Sequence, residues 1–557
     1  MQQRGLGPVT GTGGCAMAAT ETSNSAVAID YDVPEWFNMA TVLVDRHVAE
    51  GRGSNPAILY QDEVLTYTEL LAATNRVGNL LRAAGVGREE RVVLFMVDCP
   101  AFVETYVAAM KIGAVPLPIN TLYTGAELSY CISDSRATTL VADAAFLPLI
   151  QEIHPTLPEL VHVIVRGADA TPLPAGYVNF DDAFTAASPA LEPTQTHRDD
   201  PSYWLYSSGT EGTPKGVIHL HGDMVYCTGR WLDAMGMPAP GEVHYSASKL
   251  PFSYGLVNSL YAPLMAGATV ALVPEPSGAK TVAAAFAKYH PARFYSVPTL
   301  YNLLLREHDA GNVELDTSSL RMCISAGEAL PPAIFERWRA RFGLELLDGI
   351  GSTENGYIYV QNLPGAARTG TSGQLLPGYA VELRGELGQV VPLGESGELY
   401  LQSPSVAIGY WRKREKTKEA FCGTWYKTGD RYERDADGYL RYLGRADDVF
   451  KTAGQWVSPI EVEGLLLKHE AVAEVAVIGV QDPEGLIKPK AFVVLKPGFV
   501  GDAALEEQLG SHCRDNLPRP EWYKHPRRVR FMAELPKTPT GKIQRFKLRT
   551  LYPNWAD

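Results

Sequence analysis

The chain has 557 residues, 46% of them hydrophobic, enough to bury at least one large core and to fill about two to four structural units. Its 63 acidic against 50 basic side chains give a formal charge of -13, which argues against nucleic-acid binding driven by general electrostatics and leaves anionic ligands to local sites. Seven scattered cysteines without a C-x-x-C suggest neither a disulfide scaffold nor a structural zinc site, and no apolar run is long enough to span a membrane, so a cytoplasmic protein is expected.

Residues 1–28 are polar and Gly-rich, lack the apolar centre of a signal peptide and are expected to be disordered; Met17 reads as a more conventional start, so residues 1–16 carry no fold argument. Further on, β-branched or aromatic runs at 91–97 (RVVLFMV), 268–273 (ATVALV) and 320–325 (LRMCIS) alternate with helix-period stretches at 281–289 and 333–342. Strand followed by helix, repeated, predicts an α/β fold with much parallel sheet. From about 366 to 412 Gly and Pro become frequent, and short runs such as 398–402 (ELYLQ) predict a β-rich subdomain. Beyond GRADD at 444–448 the pattern predicts a small α+β unit, with a helix over 459–469, strands near 473–480 and 491–495, a helix near 503–516 and a strand near 527–531. The expected organisation is a large multi-subdomain α/β domain over 29–446 and a small C-terminal domain over 447–557. A polar turn joins them, which predicts a hinge and not a tether.

The sharpest motif is YSSGTEGTPKG at 206–216, after a strand-like YWLYS and before VIHLH. Glycines, hydroxyls and a lysine concentrated in eleven residues make a flexible loop that can wrap phosphate oxygens. It is not a Walker A loop, because Pro214, Lys215 and Gly216 stand where Gly and then Lys-Ser/Thr are needed. A plain Ser/Gly turn is the bland alternative. The string resembles the phosphate loop of the adenylate-forming superfamily: acyl- and aryl-CoA synthetases, peptide-synthetase adenylation domains and luciferases. The other signature strings of that superfamily follow in order, over roughly residues 35–550. SAGEALP at 325–331 and DGIGSTE at 348–354 match its adenine and magnesium segments, YKTGD at 426–430 its ribose segment, GRADD its hinge and PKTPTGK at 536–542 its catalytic-lysine loop.

The resemblance implies the adenylate-forming fold and an ATP site. Ser207, Ser208, Gly209, Thr210, Glu211, Gly212, Thr213 and Lys215 would form the phosphate loop. Gly327, Glu328, Ala329, Asp348, Gly349, Ile350, Gly351 and Ser352 would form the nucleotide segments, with the Thr353 hydroxyl at the α-phosphate. Glu354, otherwise a surface carboxylate after a Ser-Thr turn, would hold magnesium, a hard cation that prefers carboxylate oxygen. Asp430, in isolation a turn residue that satisfies local N–H groups, would accept both ribose hydroxyls, and Arg445 would contact ribose and phosphate. Lys542, in isolation a solvated lysine, would bridge the attacking carboxylate and the α-phosphate. Two anions must meet there, so fixed cations are needed to offset repulsion. The catalytic set is therefore Lys542, Glu354 and Thr353.

Asp447 resembles the hinge about which the small domain of the superfamily rotates between half-reactions. In the second pose the face around Lys451, Gly454 and Trp456 would meet the pantetheine arm of coenzyme A. His219 and His221 form an H-x-H pair on one strand face that could bind metal, without an evident third ligand.

The strings KLPFSYGLVN at 249–258, LDGIGSTE at 347–354 and WVSP at 456–459 look most like the benzoate-CoA ligase branch. The implied aromatic pocket has Ser253, Tyr254 and Gly255 on one side and Ala326, Gly327, Gly349 and Ile350 on the others. Asn355-Gly-Tyr357 departs from the expected pattern. If Tyr357 or Asn355 reaches the pocket, a hydroxyl or amino substituent on the ring becomes plausible, and Ser253 points the same way. The expectation is an acid–thiol ligase using ATP, magnesium and coenzyme A on a small aromatic acid, benzoate first, with hydroxybenzoates and aminobenzoate next. A carrier-protein thiol is the alternative acceptor, and an inactive binding protein on a ligase scaffold the alternative of another class. Nothing in the sequence points to luciferase-like oxygen chemistry.

Overall fold

A computed structural model describes residues 31–168, 172–207, 214–537 and 543–556. The amino-terminal segment expected to be disordered, loop residues 208–213 and residues 538–542, with Lys542, lie outside them.

The run at 91–97 forms the strand Arg91–Phe95 in an all-parallel five-stranded sheet with Val115–Pro118, Thr139–Asp143, His162–Arg166 and Tyr177–Asn179. Both faces of such a sheet are covered, which is why its strands read as continuous apolar runs. The helix Pro100–Lys111 is buried along its whole length and so shows no amphipathic period. Its terminal Lys111 is compensated, with Nζ 2.6 Å from Asp45 Oδ1 and 2.7 Å from Asn75 Oδ1.

A second, nine-stranded sheet has a parallel centre in the order Pro56–Tyr60, Thr269–Leu272, Val243–Ser246, Arg293–Ser296, Met322–Ser325 and Leu346–Gly351. Antiparallel strands close its edges, Glu63–Thr66 on one side, Ile358–Gln361 and Gln374–Leu375 on the other. Register pairs Ser296 with Ser325 and Ser325 with Asp348. The ends of three parallel strands therefore place polar residues side by side, where open α/β sheets bind ligands. The helices expected at 281–289 and 333–342 are Ala279–Tyr289 and Pro332–Phe342.

The β-rich part does not end near 412. Ala380–Arg384, Ser396–Gln402, Phe421–Cys422, Trp425–Arg434 and Leu440–Arg445 form one antiparallel sheet. Burial alternates along the start of Trp425–Arg434, yet Trp425 faces outward while Thr428 and Asp430 face inward, which masks the period in the sequence. Conversely Gly409–Tyr410, inside the expected range, leaves this sheet and pairs antiparallel with Lys215–Leu220.

The small C-terminal unit has the helix Pro459–Leu466, capped by Ser458 and shorter than expected, and the strands Val472–Gln481, Ile487–Leu495 and Arg528–Met532. The helix Ala503–Asp515, capped by Asp502, completes it. Val462, Leu466, Val475, Val477, Val493 and Leu509 give it a core of its own, separate from the large one. Among the described residues no helix is long and apolar enough to cross a membrane.

Because that core is separate, Leu509→Ala, at a fully buried position, should cost about 2–5 kcal/mol. Hydrogen exchange should accelerate in Val472–Gln481 and Ile487–Leu495 while the five-stranded parallel sheet keeps its protection; a uniform loss would show a single cooperative unit.

Candidate active site

Pro201–Ser207 and Lys215–Leu220 form an antiparallel hairpin in which Ser207 pairs with Lys215, so the expected phosphate loop is held at both ends by strand pairing. Lys215 and His219 lie on the same face of the second strand. Lys215 Nζ stands 3.9 Å from Glu354 Oε1 and 4.0 Å from the centre of the Tyr410 ring. Tyr410 donates its phenol hydrogen to the same carboxylate oxygen at 2.8 Å. Burial, followed by the Glu354 charge, raises the Tyr410 phenol far above its ordinary value, so it remains a donor.

Glu354 belongs to a 3₁₀ turn, Thr353–Asn355, that follows Leu346–Gly351 and is capped by Ser352. Gly351 is required at the strand end, since a Cβ would come within 2.6 Å of the Tyr357 carbonyl oxygen. The Glu354 carbonyl accepts from Ala407 N at 2.8 Å and the Thr353 carbonyl from His219 Nε2 at 2.7 Å. Glu354 is thereby fixed through backbone and side chain, only 8% exposed.

Asp430 and Arg445 face each other across paired strands, with Nη1 3.1 Å from Oδ1. Burial alone would lower the Arg445 guanidinium, but Asp430, Tyr442 and Asp447 beside it raise it above its ordinary value. The Tyr442 hydroxyl approaches the same Asp430 oxygen at 3.4 Å. At the strand ends, Asp348 is buried, and its Oδ1 and the neighbouring Ser325 Oγ have no hydrogen-bond partner among the described residues. Burial pushes the Asp348 carboxyl well above the usual range. The Ser325 hydroxyl and the Leu330 and Gly349 N–H groups lie close enough to offset part of that rise. Gly327, with φ +88, turns the chain beside it, and Glu328 accepts from Thr299 Oγ1 at 2.7 Å.

Among the residues expected to line a ring pocket, Tyr254 stacks on Tyr357 at 6.4 Å and 19°. Trp231 packs edge-on against Tyr357 at 5.4 Å. A Cβ on Gly255 would stand 2.0 Å from the Lys249 carbonyl oxygen, and one on Gly349 2.7 Å from Gln361 Oε1, so these walls depend on glycine. The polar groups expected to favour a ring substituent are committed elsewhere. Ser253 Oγ donates to the Gly356 carbonyl at 2.8 Å and Tyr357 to Asn258 Oδ1. Asn355 is fully buried, its amide donating to the Tyr357 carbonyl and accepting from Ser405 Oγ. Asn355 is thus corrected from a pocket candidate to a brace of the turn.

His219 and His221 do not act as a pair: His219 uses both ring nitrogens, on Asp223 and Thr353, and His221 Nδ1 accepts from Met39 N. Among the described residues no group of three or more His, Cys, Asp or Glu could hold a metal. Sequence reasoning missed Tyr410, Ala407 and Asn258, because a lone G-Y-W or an Asn inside an apolar run carries no signature.

Lys451, Gly454 and Trp456 sit on the hairpin Phe450–Thr452/Gln455–Val457, turned by Ala453 and Gly454 at φ 51 and 78. Its partners are Glu386, 2.7 Å from Lys451 Nζ, and Arg431, 3.8 Å above the Trp456 ring. Arg431 follows Asp430 and faces the other side of the sheet, so the expected coenzyme A residues and the expected ribose residue occupy opposite faces. Asp447 is half-exposed between Arg445 and Phe450. Lys537 and Ile543, on either side of residues 538–542, form an isolated antiparallel bridge. Next to it, Arg545 is tied to Glu463 at 2.7 Å and lies 3.7 Å from Asp448.

The profile of the AMP-binding enzyme family matches residues 45–411, and that of the AMP-binding enzyme C-terminal domain residues 461–542. The chain is 41% identical to a benzoate–CoA ligase of Thauera aromatica, over 96% of this chain and 99% of the relative. It is also 41% identical to a 4-hydroxybenzoate–CoA/benzoate–CoA ligase of Rhodopseudomonas palustris, over 92% and 94%. Among solved structures it is similar to an anthranilate CoA ligase in complex with anthranoyl-AMP, with a TM-score of 0.86 at 39% identity over 94% of this chain and 99% of that one. A benzoate CoA ligase from Burkholderia xenovorans gives a TM-score of 0.80 at 39% identity over 92% and 100%.

Removing the Tyr410 hydroxyl takes the donor from a buried carboxylate, a loss of about 1.5–3 kcal/mol. Tyr410→Phe should therefore lower folding stability by about 1.5–3 kcal/mol, read as the midpoint of denaturant unfolding; an unaltered midpoint would show that the bond carries no such weight.

Proposed function

The chain belongs to the AMP-binding enzyme family, and on that premise we propose that it is an ATP-dependent aryl-CoA ligase. It joins the carboxylate of benzoate, or of a small ring-substituted benzoate, to the α-phosphate of ATP with release of pyrophosphate. The coenzyme A thiol then displaces AMP from the acyl-adenylate. The observation that carries the aryl preference is the closed aromatic wall: Tyr254 stacks on Tyr357, and behind it Trp231 and Asn258 are fully buried. A flat ring fits such a slot, and a long alkyl chain does not.

The side chains of Ser253 and Tyr357 already donate to protein partners. An unsubstituted ring needs no polar partner, so benzoate ranks first, with hydroxybenzoates and aminobenzoate next.

The residues present fit the nucleotide. The unpartnered Asp348 Oδ1 suits an amino donor such as that of adenine. Asp430, oriented by Arg445 and Tyr442, offers its carboxylate to the ribose hydroxyls. The Thr353 hydroxyl meets the α-phosphate, while Ser207, Lys215 and the loop between them hold the outer phosphates. Magnesium, when bound at Glu354, supplies the positive charge that offsets the triphosphate. Lys542 bridges the acid's carboxylate and the α-phosphate during attack.

The two half-reactions use one site in turn, by rotation of residues 447–557 about Asp447. The packing of Trp456 on Arg431 and of Lys451 on Glu386 supports reading this structure as the adenylation pose. After rotation Lys451, Gly454 and Trp456 face the pantetheine arm. A carrier protein presenting the same arm is the alternative acceptor. The six cysteines among the described residues are unpaired and five are buried, which supports a reducing cytoplasmic setting.

Pyrophosphate release should be measured with benzoate, hydroxy- and aminobenzoates, cinnamates and medium-chain fatty acids, each with and without coenzyme A. Benzoate should react fastest and coenzyme A should raise turnover strongly. An adenylate that accumulates without response to coenzyme A would favour the carrier-protein acceptor, and no reaction with any acid would overturn the assignment. Lys542→Ala should lower adenylate formation by about 100-fold or more, while preformed benzoyl-adenylate still yields thioester; equal loss of both steps would contradict the two-pose reading.

A further inference from the structure

We infer that His219, held by Asp223, is a positioning residue for the turn that carries Thr353 and Glu354. The inference rests on the reading of that turn as the contact to the nucleotide phosphates. His219 is fully buried, opposite Tyr203 in strand register, and Tyr203 lies flat on the imidazole at 4.9 Å and 8°. One edge of the ring meets Asp223, the first residue of the helix Asp223–Met235, with Nδ1 2.9 Å from Oδ2. That carboxylate oxygen also accepts from Leu220 N at 3.0 Å, so helix start, strand end and imidazole share one anchor. The other edge directs Nε2 at the Thr353 carbonyl, 2.7 Å away.

A buried histidine that satisfies a buried carbonyl is common, but two features here exceed that. His219 stands on the same strand face as Lys215, and the two reach adjacent residues of one turn: Lys215 the Glu354 carboxylate, His219 the Thr353 backbone. The strand that begins at the end of the phosphate loop thus also fixes the turn opposite. The ring is confined by Tyr203 on its face and by Asp223 at its edge, so the donor to Thr353 has little freedom to move. A shift of about 1 Å in a positioned group is enough to cost on the order of 100-fold in rate.

His219→Phe keeps a flat ring on Tyr203 and removes the donor; His219→Gln restores an N–H to the carbonyl. MgATP binding should be measured by calorimetry without any acid, alongside pyrophosphate release with benzoate. His219→Phe should bind MgATP about 10-fold more weakly and lose about 10- to 100-fold in kcat/KM for ATP, with KM for benzoate changed less than about twofold. His219→Gln should recover most of both. Asp223→Ala, which releases the ring, should shift both readouts in the same direction and decides the matter if His219→Phe fails to fold. Wild-type MgATP affinity in folded His219→Phe, or equal damage in the Phe and Gln variants, would overturn the positioning role. Wild-type protein that neither binds MgATP nor releases pyrophosphate would instead overturn the reading of the turn, and the inference with it.

Discussion

The strand Lys215–Leu220 pairs on one side with Pro201–Ser207 and on the other with Gly409–Tyr410, and the arrangement of the site depends on this double pairing. It fixes Ser207 and Lys215 on either side of residues 208–213, sets Lys215 and His219 on one face and brings Tyr410 beside them. All three then converge on a single turn after Leu346–Gly351. A buried carboxylate such as Glu354 is costly unless its oxygens find donors or cations. Here a phenol and an ammonium supply them.

A second constraint comes from the separate cores. The large domain buries several clusters around its sheets, and none of them is shared with the small unit, which closes on its own strands and helices. Contacts between the two are mainly polar or cation–π: Lys451 with Glu386, and Arg431 with Trp456. Such contacts are exchanged at lower cost than a shared apolar core, in keeping with rotation about a short polar turn. Asp430 and Arg431, neighbours in sequence, look to opposite faces of one strand. The same strand therefore holds the Asp430–Arg445 pair on one side and meets Trp456 of the small unit on the other.

The ring pocket shows how chemistry that looks polar in a list of residues becomes apolar in space. Ser253, Asn355 and Tyr357 all carry groups able to meet a substituent, yet each is bonded within the protein. The other residues expected to line the pocket contribute aromatic surface and glycine backbone. Glycines 255 and 349 are there because neighbouring carbonyl and amide oxygens leave no space for a Cβ.

The sequence by itself determined the α/β class, the order of the signature strings and, to within a few residues, the strands and helices it marked out. Those features follow from local periodicity, capping and short Gly-rich spacing, all encoded within about ten to twenty residues. It misjudged the extent of the β-rich sheet because polar residues at buried positions, Thr428, Asp430 and Arg431, hid the alternation in Trp425–Arg434. Only the tertiary structure decided that Tyr410 serves Glu354, that His219 serves Thr353 and that Tyr357 is tied to Asn258, contacts spanning 56, 134 and 99 residues of chain. No local pattern records such pairs, because they are made by strand register and helix docking, and one residue of slip would turn each of these side chains away.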